Sequence, residues 1–155
     1  VTVRKTTFVQ ISQEEGNRDS GKIFFIKEMP ALQAEKWALR LILALSRANV
    51  DIPDDVANAG MAGVATLGLK MLGQMSFPDA ESLLDEMMSC VRHIPDPSRV
   101  EVTVPLIMQG GDGDTIEEIT TLTKLRLEVL QLHAGFFTSA LQSNFGKPSS
   151  TPPVV

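Results

Sequence analysis

Cys90 and His93 are the residues whose types and spacing come nearest to catalytic chemistry, since a helix would bring a thiol and an imidazole one turn apart onto one face. Cys90 also lies beside Met87, Met88 and Val91, where a cysteine serves as a small hydrophobe. No second pair of metal-ligating residues accompanies it, and His133 stands alone on another predicted helix. Asp112, Asp114, Glu117 and Glu118 suggest a calcium loop, but an EF-hand opened at Asp112 would need an oxygen ligand where Ile116 stands and a carboxylate where Thr123 stands. Helix capping accounts better for these acids. Gly110, Gly111 and Gly113 lack the lysine and hydroxyl residue of a phosphate-binding loop, and the aspartates among them repel an anion. No catalytic residue, metal ligand or cofactor is expected.

The methionines carry more. Met29, Met61, Met71, Met75, Met87, Met88 and Met108 are adaptable side chains that can re-pack against varied partners. With 43% hydrophobic residues in 155, the chain can form one sizeable core without disulfides or metal. The single cysteine rules out an internal disulfide and fits a reducing compartment. A net charge of −5 argues against a nucleic-acid surface. The acidity is concentrated: residues 51–96 hold eight acids against Lys70 and Arg92. The apolar stretch 57–72 is interrupted by Asn58, Thr66 and Lys70 and is too short to span a bilayer. The N-terminal residues lack the apolar core of a signal peptide, so a soluble, cytoplasmic protein is expected.

Several elements must position these residues. Residues 6–11 and 22–27 are β-rich runs joined by a polar, glycine-bounded segment, which predicts a hairpin with a long loop. Two strands alone are marginal in water, so the hairpin must pack on helices or gain strands from a partner. Pro30 opens a helix whose apolar face is predicted from Leu32, Trp37, Leu39, Ile42, Leu43 and Leu45, ending at Asn49. Gly60, Gly63, Gly68 and Gly73 in the next helix leave a nearly side-chain-free surface, suited to a close helix crossing or a subunit contact. Ser76 is a predicted N-cap for a helix whose core stripe runs from Leu83 to Ile94, stopped by Pro95. Val100 to Val104 reads as a strand. Asp114, with Glu117 three residues on, is the predicted cap of a last helix reaching about Ala134, with Gly135 ending or kinking it. The expected fold is α+β and predominantly helical: an N-terminal β-hairpin on about four helices, one domain over residues 1–143, and a disordered tail over 144–155.

The segments Arg4-Lys-Thr-Thr-Phe-Val9, Glu15-Gly-Asn-Arg-Asp-Ser-Gly-Lys22, Phe24-Phe-Ile-Lys-Glu-Met-Pro30 and Ala34-Glu-Lys-Trp-Ala38 occur in an order that resembles the start of tail assembly chaperones of long-tailed bacteriophages. The likeness continues through Ile52-Pro-Asp-Asp-Val56, the Gly/Ala-rich stretch, Leu84-Asp-Glu-Met-Met88 and Asp96-Pro-Ser-Arg99, covering roughly residues 2–134. It rests on length and order rather than on a short chemical motif. The resemblance implies a non-enzymatic protein that keeps the tape measure protein soluble and promotes tail tube assembly around it. It further implies self-association into a ring or spiral, a place in the host bacterial cytoplasm, and absence from the mature virion. A longer product made by programmed frameshifting, through which the tail tube protein would mainly be met, is also implied. Gly146-Lys147 can be encoded as GGA-AAG, which fits such a slippery run. Neither nucleic acid nor membrane is an implied partner. Phe24, Phe25, Trp37, Met61, Met71 and Met75 are the expected interaction residues. The competing expectation is a structural tail component, such as a tube or tail-completion protein, retained in the virion.

Overall fold

The computed structural model describes residues 3–49 and 70–144. The architecture is α+β, as expected from the sequence. Strand β1 (Thr6–Gln10) pairs antiparallel with β2 (Ile23–Lys27), in a register that sets Phe8 against Phe25 and Val9 against Phe24. The long connection turns at Gly16 and Gly21, whose φ angles of 81° and 78° lie where only glycine is unstrained.

The sheet gains its further strands from the same chain. Strands β3 (Val91–Ile94) and β4 (Val104–Pro105) extend it in the antiparallel order β1-β2-β3-β4. Two sequence expectations are corrected here. The helix predicted to run to Ile94 ends at Met88, where the Ser89 hydroxyl bonds back to the Glu86 carbonyl at 2.6 Å. Val91 to Ile94 then pairs with β2, and Lys27 N–H donates to the Cys90 carbonyl at 3.0 Å as the ladder begins. The apolar spacing of this segment suits either element, and the open edge of β2 decides for the strand. The strand predicted over 100–104 shrinks to Val104–Pro105, because residues 96–102 form turns.

Helix α1 (Ala31–Arg47) starts after Pro30 and ends where expected, with Asn49 at φ 55°. Residues 70–72 are helical, and Gly73 sits in the turn after them. Helix α2 (Phe77–Met88) has Ser76 at its N-cap position, although its hydroxyl donates to the Asp79 carboxylate at 2.9 Å instead of capping the backbone. Helix α3 (Ile119–Asn144) starts five residues later than Asp114 and runs through Gly135 without ending there. The expected glycine-spaced surface at Gly60, Gly63 and Gly68, and the expected tail after residue 144, lie outside the described residues.

One core lies between the helices and one face of the sheet. Val9, Ile11, Phe24, Ile26 and Val91 meet Trp37, Leu41, Leu45, Leu83, Met87, Leu125 and Val129 there. Trp37 Nε1–H donates to the Leu83 carbonyl at 3.0 Å, locking α1 to α2 inside that core.

Candidate functional site

Helix α1 does not bury the face its leucines suggest. Ala34, Trp37, Ala38, Leu41, Ala44 and Leu45 point inward, while Leu32, Leu39 and Leu43 are 64%, 44% and 58% exposed. Three leucines on a helix that had alanines to expose are a surface feature, not a core. They line an open groove of about 720 Å³ with Pro30, Gln33, Lys36 and Arg40, walled on the far side by Glu86 of α2. Leu32 and Leu39, like Lys36 and Leu43, are seven residues apart, so the groove follows the helix for three turns.

Polar contacts fix this wall without covering it. Arg40 forms an ion pair with Glu86 and donates to the Ser82 hydroxyl at 3.2 Å. Gln33 donates to Glu86 at 3.2 Å, and Arg47 reaches Asp79 at 3.2 Å. These exposed pairs hold α2 beside α1 and leave the leucine tops free.

A second exposed apolar feature lies on the sheet face away from the core. Phe8 is 55% exposed, and its ring centroid is 5.4 Å from that of half-buried Phe25. Arg92 and Pro105 continue the same cross-strand row. The Arg92 guanidinium is held by the Thr103 hydroxyl at 2.8 Å and carbonyl at 3.1 Å.

The expected interaction residues divide sharply. Phe24, Trp37, Met71 and Met75 are buried in the core, so they hold the domain together rather than face a partner. Phe24 could not be told from Phe25 by composition; strand alternation turns the first inward and the second outward. Met61 lies outside the described residues. Sequence reasoning missed the exposure of Leu32, Leu39 and Leu43, which it placed in the core. The available signal was the set Ala34, Ala38 and Ala44, a small-residue stripe on the opposite side of the same helix.

Candidate chemistry elsewhere resolves into structure. Cys90 is buried, and burial pushes its thiol up to about 11. The one-turn spacing to His93 is lost because the helix stops before Cys90; His93 instead faces Phe24, with ring centroids 5.5 Å apart. Asp114 closes its own loop, accepting the N–H groups of Gln109 and Gly110 at 2.8 and 2.9 Å, and those bonds hold its carboxyl below the usual range. It is therefore not the cap of α3. Asp19, which is fully buried, instead accepts the N–H groups of Glu117 and Glu118 just before α3 begins. Among the described residues no group of three or more His, Cys, Asp or Glu could hold a metal ion, and no helix is long and apolar enough to cross a membrane. Comparison with family models, with curated proteins and with solved structures gives no match.

Proposed function

We propose that this chain is a tail assembly chaperone of the long-tailed bacteriophage type, binding a helical tape measure protein and promoting tail tube assembly around it. The ordered sequence resemblance supports the reading, and the observation that carries it structurally is the exposed leucine groove on α1. A groove that follows three turns of a helix is the shape an amphipathic helix fills, with anchors at helical spacing. Burying each of Leu32, Leu39 and Leu43 under such a helix would contribute roughly 1.5–3 kcal/mol. A long helical protein awaiting assembly presents many such segments, and covering them keeps it from aggregating.

Co-expression with the neighbouring tape measure gene tests the proposal. The tape measure protein should stay soluble and co-purify with this chain, and should be lost to the pellet with the Leu39→Asp/Leu43→Asp double variant. Both leucines are exposed, so the variant should keep its circular dichroism spectrum. A tape measure protein equally soluble alone, or equally retained by the double variant, would overturn the proposal. Mass spectrometry of purified virions separates a chaperone, which should be missing, from a retained tail component.

A further inference from the structure

Among the described residues β1 is an edge of the sheet, and its outer side carries the groups a further strand would bond. The Lys5 carbonyl accepts the Glu28 N–H at 3.0 Å, and Ile11 N–H donates to Lys22 at 2.9 Å. Residues 5, 7, 9 and 11 therefore direct their backbone groups toward β2. In an antiparallel ladder the alternate residues face the other way, so Thr6, Phe8 and Gln10 turn their N–H and C=O groups out of the sheet. All three residues are exposed.

Edge strands are ordinarily guarded by a charge, a proline or a bulge. The strand TTFVQ has no charge and no proline, and its register with β2 is unbroken. Charges instead flank it by sign: Arg4 and Lys5 precede it, while Glu14 and Glu15 follow it. A second copy laid antiparallel brings the basic end of each strand to the acidic end of the other. A parallel copy would set like charges together, so the flanks select both the partner and its direction.

We propose that β1 pairs with β1 of a second copy of this chain, antiparallel about a twofold axis at Phe8. Thr6 then lies opposite Gln10 of the partner subunit, and the outward groups form roughly six backbone hydrogen bonds. Phe8 meets the partner's Phe8 on the outer face, extending each Phe8–Phe25 contact into one aromatic row across the axis. The contact is isologous and closes at two subunits, so any ring or spiral would use this pair as its unit and require a second surface. The pairing depends on neither the leucine groove nor its occupant.

Light scattering over a concentration series, with the wild-type chain and Phe8→Lys, tests the pairing. Opposed lysines at the axis should raise the dimer dissociation constant at least ~tenfold while leaving the circular dichroism spectrum unchanged. Phe8→Cys should form a disulfide-linked dimer under mild oxidation, with Leu32→Cys as the exposed control that does not. A wild-type chain that stays monomeric at its highest concentration would overturn the proposal. So would an assembly whose mass Phe8→Lys leaves unchanged, or cross-linking of Phe8→Cys no faster than of the control.

Discussion

The carboxylate of Asp19 accepts the backbone N–H of Glu117 at 3.0 Å, joining the hairpin loop to the start of α3 across 98 residues of sequence. Its second oxygen takes the Glu118 N–H at 2.9 Å. Lys22 Nζ donates to the same carboxylate at 2.7 Å and to the Thr115 carbonyl at 2.8 Å. Arg18 reinforces the junction from outside, pairing with Glu118 at 2.8 Å and donating to the Glu117 carbonyl at 2.8 Å. A buried anion from another element thus satisfies the last two N–H groups before α3 and sits at the positive end of that helix's dipole.

Asp19→Ala should therefore cost about 3 kcal/mol, since it removes two charge-assisted bonds to backbone N–H groups and leaves Lys22 without its carboxylate. Urea unfolding followed through Trp37, the single tryptophan, measures the loss. An Arg18→Ala variant should lose far less than Asp19→Ala, because its ion pairs are solvent-exposed.

Acid should lower the stability of the fold in two stages, both of the same sign. Burial, with the charge of Lys22 adding to it, holds His93 below its ordinary 6.5. The unfolded chain therefore binds the proton more readily, and this contribution, present above that value, is lost as pH falls through the folded one. Asp19 follows at lower pH. Burial pushes its carboxyl up, but the bonds from Lys22 and the Glu117 and Glu118 amides outweigh it, so the net shift is below the ordinary 3.8. His93→Gln should remove the first stage of the stability–pH curve and leave the second.

Cys90 should be inert in the folded protein. A thiol raised to about 11 is almost wholly protonated at pH 8, and its burial blocks reagents as well. Ellman's reagent should label it at least ~100-fold more slowly in buffer than in 8 M urea.

His133 should matter as a hydrogen-bond acceptor. Its Nε2 accepts the Met29 N–H at 2.8 Å, which leaves the proton on Nδ1, 2.8 Å from the Val129 carbonyl. His133→Phe would leave the Met29 N–H of the strand–helix junction unpaired, at a cost of roughly 1–3 kcal/mol by urea unfolding.

The hairpin, the start of α1 and the start of α2 were legible because each carries local signals: β-formers around glycines, Pro30, and Ser76 with Asp79. What was not legible depended on distant groups. Val91–Ile94 has an apolar pattern that a helix could use, and only the free edge of β2 made it a strand. Asp114 had the local form of a cap, yet α3 starts five residues later, and Asp19, far away in sequence, folds onto the two residues that lead into it. On α1, leucine outweighs alanine in any hydrophobicity count. The approach of α2 at Trp37 and Leu83 leaves room for small neighbours, so Ala34, Ala38 and Ala44 turn inward beside Leu41 and Leu45, and Leu32, Leu39 and Leu43 turn out. The candidate groove was therefore hidden in residues that composition assigns to the core.

The Asp19 junction also sets an order of events during synthesis. Asp19 leaves the ribosome 98 residues before Glu117, so the hairpin loop waits for most of the chain before its anion is satisfied. Until then Asp19 has only Lys22 as its side-chain partner, and the loop is held by its own turn bonds alone. The hairpin loop and the start of α3 should consequently lock together late, after the local turn bonds of the loop have formed. A chain interrupted before residue 117 would keep its hairpin unfastened, however many strands it had already made.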